Sequence, residues 1–125
     1  MLMTSLRRAV SIWNINSFAE FFLQILGKYE RPYQQAMNDF RAERERFVKE
    51  LQAIEYLRVI PSEANYLLCE VLPPHTPREL AIQLLKQHNI LIKDCTSKCH
   101  APYIRIAVRD TNDNNQLIAA LQTLR

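Results

Sequence analysis

A chain of 125 residues with a net charge of +3 has room for one domain, and its 48% hydrophobic content suits a packed core. The basic residues are interleaved with acids rather than gathered into a patch, which argues against nucleic acid as a partner. Gly27 is the sole glycine, so the chain has no glycine-rich loop whose backbone could close around the phosphate of a nucleotide or cofactor.

Residues 1–12 show neither strand alternation nor a clear helix start. Asn16 and Ser17 can each cap a helix, and Phe18, Phe22, Ile25 and Leu26 follow at helical spacing to about Lys28. The apolar stretch from Phe18 to Leu26 is broken by Glu20 and Gln24, and no run reaches the roughly 18 apolar residues of a membrane span. Pro32 suits the first turn of a second helix, along which Tyr33, Met37, Phe40, Phe47, Leu51 and Ile54 recur. The charged run Arg41 to Arg46 is expected on its solvated face. The two segments are either one kinked helix or two stacked ones.

Beyond Ile54 the period becomes two. Leu57 to Ile60 reads as a strand, Pro61 to Glu63 as a turn, and Asn65 to Leu72 as a strand with Leu67, Cys69 and Val71 on one face. After a proline-rich connector, Thr76 and Glu79 form a capping box with Pro77 at the first helical position, and Asn89 is a plausible C-cap. Ile90 to Asp94 is a strand and Thr96 to Pro102 a loop. Tyr103 to Arg109 is a strand with Ile104, Ile106 and Val108 on one face and Tyr103, Arg105, Ala107 and Arg109 on the other. Asp110 or Thr111 caps a last helix that turns Leu117, Ile118, Leu121 and Leu124 inward. The expected fold is α+β: two N-terminal helices over residues 1–54, then residues 55–125 as a small, mostly antiparallel sheet in the order β-β-α-β-β-α, covered by helices on one side.

Few side chains point to chemistry. Cys95, Cys99 and His100 lack the second ligand pair of a metal site and read as loop and core residues. His75 and His88 have no nucleophile motif beside them and read as surface groups. Three cysteines without a leader peptide fit a reducing, cytoplasmic setting. Lys93 is either an anion-binding lysine or the exposed face of an edge strand. Arg105 sits mid-strand, where its charge must be paired or face a cleft. Either it forms a structural salt bridge, with Glu70 across the sheet as partner, or it binds a carboxylate through two parallel hydrogen bonds. Arg109 reads as a surface or helix-cap charge.

Four stretches, taken together, look like successive landmarks of one family. They are Ile12-Trp13-Asn14-Ile15-Asn16-Ser17-Phe18-Ala19-Glu20, Pro61-Ser62-Glu63-Ala64-Asn65-Tyr66-Leu67, Asn89-Ile90-Leu91-Ile92-Lys93-Asp94-Cys95 and Tyr103-Ile104-Arg105-Ile106-Ala107-Val108-Arg109. The chain resembles, from about Arg8 to Leu124, the class I/II pyridoxal-phosphate (PLP)-dependent aminotransferases of fold type I. The branch is that of histidinol-phosphate aminotransferase and threonine-phosphate decarboxylase. The resemblance implies the C-terminal small domain of such an enzyme, in which Arg105 grips the substrate carboxylate. Lys93 falls where phosphate-substrate members carry an arginine, and Asn16 falls near the substrate cleft. It also implies a homodimer and a preceding large domain that holds PLP through a lysine, a paired Asp and a glycine-containing loop. None of those motifs is in this chain, so the chain alone is expected to bind no cofactor and to be inactive. The substrate would be an amino acid or a phosphorylated amino acid. The alternative is a freestanding α+β interaction or small-anion-binding module without catalysis.

Overall fold

The computed structural model describes residues 16–124. Trp13 and the rest of the first landmark before Asn16 lie outside them. The chain divides into two compact units, with the boundary between Met37 and Asn38.

The first unit is helical. Helix α1, Ser17–Leu26, starts where the Asn16 side chain accepts a hydrogen bond from the Ala19 amide at 2.9 Å, satisfying one of the helix's orphan donors. A 3-10 turn, Gly27–Tyr29, leads into α2, Glu30–Gln52, with right-handed helical backbone throughout. The two expected helices are thus joined by one tightened turn. No residue of α1 is buried: Phe18, Phe21, Phe22 and Leu23 are all exposed.

The second unit is built on a four-stranded antiparallel sheet of β1 (Leu57–Ile60), β2 (Tyr66–Val71), β3 (Lys93–Asp94) and β4 (Tyr103–Ala107), in the order β1-β2-β4-β3. Alternation sends Leu67, Cys69 and Val71 of β2 and Ile104 and Ile106 of β4 to one face, all fully buried or nearly so. They pack with Phe47 and Leu51 of α2, with Leu80 and Leu84 of α3 (Pro77–His88), and with Leu117, Ile118 and Leu121 of the last helix, Thr111–Thr123. Helix α3 begins at the capping box: Thr76 Oγ1 accepts from the Glu79 amide at 3.3 Å and donates to the Glu79 carboxylate at 2.8 Å. It ends at Asn89, whose φ of 56° is the left-handed C-cap conformation.

Three expectations are corrected. The strand expected over Ile90 to Asp94 shrinks to Lys93–Asp94, because only those residues find partners on β4. The loop expected over Thr96 to Pro102 opens with a single helical turn, α4 (Thr96–Cys99), started by the Asp94 carboxylate accepting from the Thr96 amide at 2.8 Å. The last helix is therefore α5. The charged run Arg41 to Arg46 is not a wholly solvated face. Arg44 is buried, donating to Glu63 at 2.7 Å and to the Ala64 carbonyl at 3.3 Å. Glu43 accepts from Arg46, from Asn114 at 2.8 Å and from Thr111 at 2.9 Å, tying α2 to the start of α5. Those donors hold its carboxyl well below the usual range, at about 2 against 4.5, with the Arg46 guanidinium the main cause.

Candidate functional site

The sheet face opposite the core carries the candidate residues. Strand β4 presents Tyr103, Arg105 and Ala107 there, because Ile104 and Ile106 take the inner face. Its two neighbours decide what Arg105 meets. In the β2 register Leu68 stands opposite Arg105, Glu70 opposite Tyr103 and Tyr66 opposite Ala107. In the β3 register Lys93 stands directly opposite Arg105. Directly opposed residues share a face, with Cβ atoms about 5 Å apart. The register therefore brings Lys93 and Arg105 together as a pair of exposed cations on adjoining strands.

The two acids nearest in register and sequence are engaged elsewhere. Glu70 is taken by Arg58 of β1, its direct neighbour in the β1–β2 register, and not by Arg105. Asp94, next to Lys93 in sequence, alternates away to stand opposite Ile104. Its carboxylate is occupied by Thr96, whose hydrogen bonds hold it below the usual range. Among the described residues, neither Lys93 nor Arg105 makes an ion pair. Like charges directly opposite one another on a sheet cost on the order of 0.2–1 kcal/mol, which a bound anion would reverse. The Arg105 guanidinium lies over the ring of Tyr66, with Cζ 5.3 Å from the ring centre.

The remaining sequence candidates make other contacts. Asn16 belongs to the first unit, where it caps α1. Arg109 is ion-paired with Asp113; its backbone N–H donates to the Asn114 side-chain oxygen at 3.0 Å and its carbonyl accepts from the Asn114 side-chain nitrogen at 2.9 Å. Cys95 is buried and Cys99 and His100 are exposed; among the described residues no three His, Cys, Asp or Glu side chains are placed to hold a metal ion. His75 is not a plain surface group. Its ring is 4.3 Å from that of Tyr56, and both line a cavity of about 490 Å³ that shares no residue with the cationic face. The Tyr56 hydroxyl donates to the Leu121 carbonyl at 2.6 Å, and burial pushes it up to about 12. Sequence reasoning passed over Tyr66. The inward alternation of Leu67 and Cys69 placed it outward, but its diagonal relation to Arg105 follows only from the β2–β4 register.

The family model described as aminotransferase class I and II matches residues 3–121. The chain belongs to that family. Among curated relatives it is similar to CMP-5'-(3-aminopropyl)phosphonate synthase of Streptomyces rubellomurinus, with 31% identity over 96% of this chain and 20% of that protein. Among solved structures it is similar to a decarboxylase from Sulfurospirillum multivorans, with a TM-score of 0.84, 26% identity, and coverage of 98% of this chain and 36% of that one. The histidinol-phosphate aminotransferase of Clostridium acetobutylicum gives a TM-score of 0.80 and 27% identity, covering 97% of this chain and 36% of that one. The chain thus spans about a fifth of the length of the first curated relatives and about a third of these solved chains. Its sheet and helices match the small domain of fold type I aminotransferases. Enzymes of this family depend on PLP. Among the described residues, no helix is long and apolar enough to cross a membrane.

Proposed function

We propose that this chain is the substrate-binding small domain of a PLP-dependent enzyme, and that Arg105 and Lys93 grip the two anionic ends of one substrate. The observation that carries the reading is their direct opposition on an exposed sheet face, with neither in an ion pair among the described residues. Arg105 takes the amino-acid carboxylate, for which the planar fork of a guanidinium is suited. Lys93 takes a second anion as a compact point charge. Two of the similar proteins are named for a phosphonate or a phosphate, the kind of group such a lysine would hold. Asn16 stays a substrate-binding candidate on the family resemblance alone; its side-chain oxygen caps α1 by accepting from the Ala19 amide.

The described residues do not fit PLP itself. A Schiff-base lysine is desolvated to keep it nucleophilic, whereas Lys28, Lys49, Lys86, Lys93 and Lys98 are all exposed. The one glycine, Gly27, lies in a helical turn and cradles nothing. In this reading the cofactor, and with it the choice between transamination and decarboxylation, belongs to a large domain outside this chain, and the enzyme assembles as a homodimer. The lack of a cradle is also the observation that favours a second reading, an anion-binding module without catalysis.

Titration of the labelled chain with O-phospho-L-serine, followed by NMR, tests the shared core of both. Shifts should centre on Arg105 and Lys93. Arg105→Gln should abolish binding of phosphoserine and of serine, while Lys93→Gln should weaken phosphoserine alone. Shifts centred elsewhere, or binding indifferent to Arg105, would overturn the assignment. Adding a large domain of the family with PLP separates the two readings, since turnover of the bound amino acid is expected only in the first.

A further inference from the structure

Tyr66 is a large aromatic left 42% exposed on the same face as the two cations. It stands opposite Ala107, one pair along from Arg105, and that diagonal lies within reach of aromatic and long side chains. Alanine is small, so the Tyr66 ring has room to lean across β4 and pass beneath the guanidinium, 5.3 Å from Cζ. The backbone leading into Tyr66 is tied down. Its carbonyl accepts from Ser62 Oγ at 2.8 Å, Ser62 Oγ accepts from the Ala64 amide at 3.1 Å, and the buried Arg44 holds Glu63 and the Ala64 carbonyl. Two side chains, Ser62 and Arg44, thus fix the turn that leads into Tyr66.

A guanidinium resting on a ring face has its own plane steadied while its N–H groups point outward. An exposed, unbacked arginine must give up substantial side-chain freedom when it binds; one already resting on a ring gives up less. A planar, two-oxygen carboxylate gains most, because it needs two N–H groups aligned at once. A tetrahedral anion held by the flexible ammonium of Lys93 has no such requirement.

We propose that Tyr66 is a positioning residue: its ring pre-orients Arg105 and thereby sorts the two anions, carboxylate to Arg105 and tetrahedral oxyanion to Lys93. This rests on the clamp reading above and goes beyond it by naming what makes the two cations unequal.

The test uses the whole chain with acetate and inorganic phosphate as separate probes. Arg105 side-chain resonances in the wild type should carry an upfield ring-current shift, kept in Tyr66→Phe and lost in Tyr66→Leu. Acetate affinity at Arg105 should fall about two- to fivefold in Tyr66→Leu, the range of an exposed cation–π contact, and return in Tyr66→Phe. Phosphate affinity at Lys93 should be unchanged in both. If Arg105→Gln leaves acetate binding intact, the clamp reading itself fails. If Arg105→Gln abolishes acetate binding but Tyr66→Leu leaves the acetate-to-phosphate ratio unaltered, the clamp stands and the positioning role falls. Failure of Tyr66→Phe to restore the wild-type ratio also overturns it, because the ring is what the proposal invokes.

Discussion

Replacing Glu43 with Gln removes the acceptor on which α2 and α5 converge. The carboxylate serves Arg46, Asn114 and Thr111 together, and its titration is displaced from 4.5 to about 2. Taken at face value, that displacement corresponds to about 3 kcal/mol of stability near neutral pH. The Glu43 side chain keeps 14% of its surface and Arg46 keeps 33%, so solvent screening reduces the figure to about 1–2 kcal/mol. A carboxyl whose folded value is depressed contributes fully above its unfolded value and loses that contribution as pH falls through the folded one. The wild type should therefore lose this increment as pH drops from 4.5 to about 2, whereas Glu43→Gln has already lost it, so the stability gap between the two should close across that window. Urea unfolding followed by circular dichroism at both ends of the window measures the gap. A gap that does not narrow on acidification would refute the electrostatic account.

Arg44→Met keeps the aliphatic stem but abandons the Ala64 carbonyl and Glu63, and should cost about 1–3 kcal/mol in thermal melts. Glu63→Gln should cost under about 0.5 kcal/mol, since the Glu63 side chain is 96% exposed; equal losses would count against the assignment. Cysteine alkylation under native conditions should begin at exposed Cys99 and spare Cys69, whose thiol burial pushes up to about 12; modification of Cys69 at the rate of Cys99 would contradict that burial. Phe18, Phe21 and Phe22 of α1 should drive reversible self-association, relieved by Phe18→Glu with Phe22→Glu. Sedimentation as a clean monomer at high concentration would oppose it.

The legible parts of the sequence were those governed by neighbours in the chain. The caps at Asn16, Thr76, Asn89 and Asp110 each involve groups within a few residues, and each formed at the position its chemistry favours. The inward faces of β2 and β4 followed from alternation alone. What escaped was set at a distance. Arg44 is indistinguishable within its charged run until the turn at Glu63 and Ala64 comes to meet it, some 20 residues away in sequence. Ile90, Leu91 and Ile92 are an apolar run that suits a strand, yet within Ile90 to Asp94 only Lys93 and Asp94 find register partners on β4. The pairing of Lys93 with Arg105 is likewise a matter of register, which no local pattern encodes. Arg105 was an open choice between a salt bridge and a ligand, and the bridge depended on Glu70, which β1 claims through Arg58.

The brevity of β3 has a mechanical consequence. Arg105 stands mid-strand on β4, flanked by β2 and β3, and its backbone can yield only if the sheet opens. Lys93 rides on a two-residue border strand whose opening breaks a very short ladder, so its amide should exchange with solvent well before those of β4. One jaw of the pair is stiff and the other compliant. A gripping face built this way holds one end of a guest at a set point and lets the other accommodate guests of differing length.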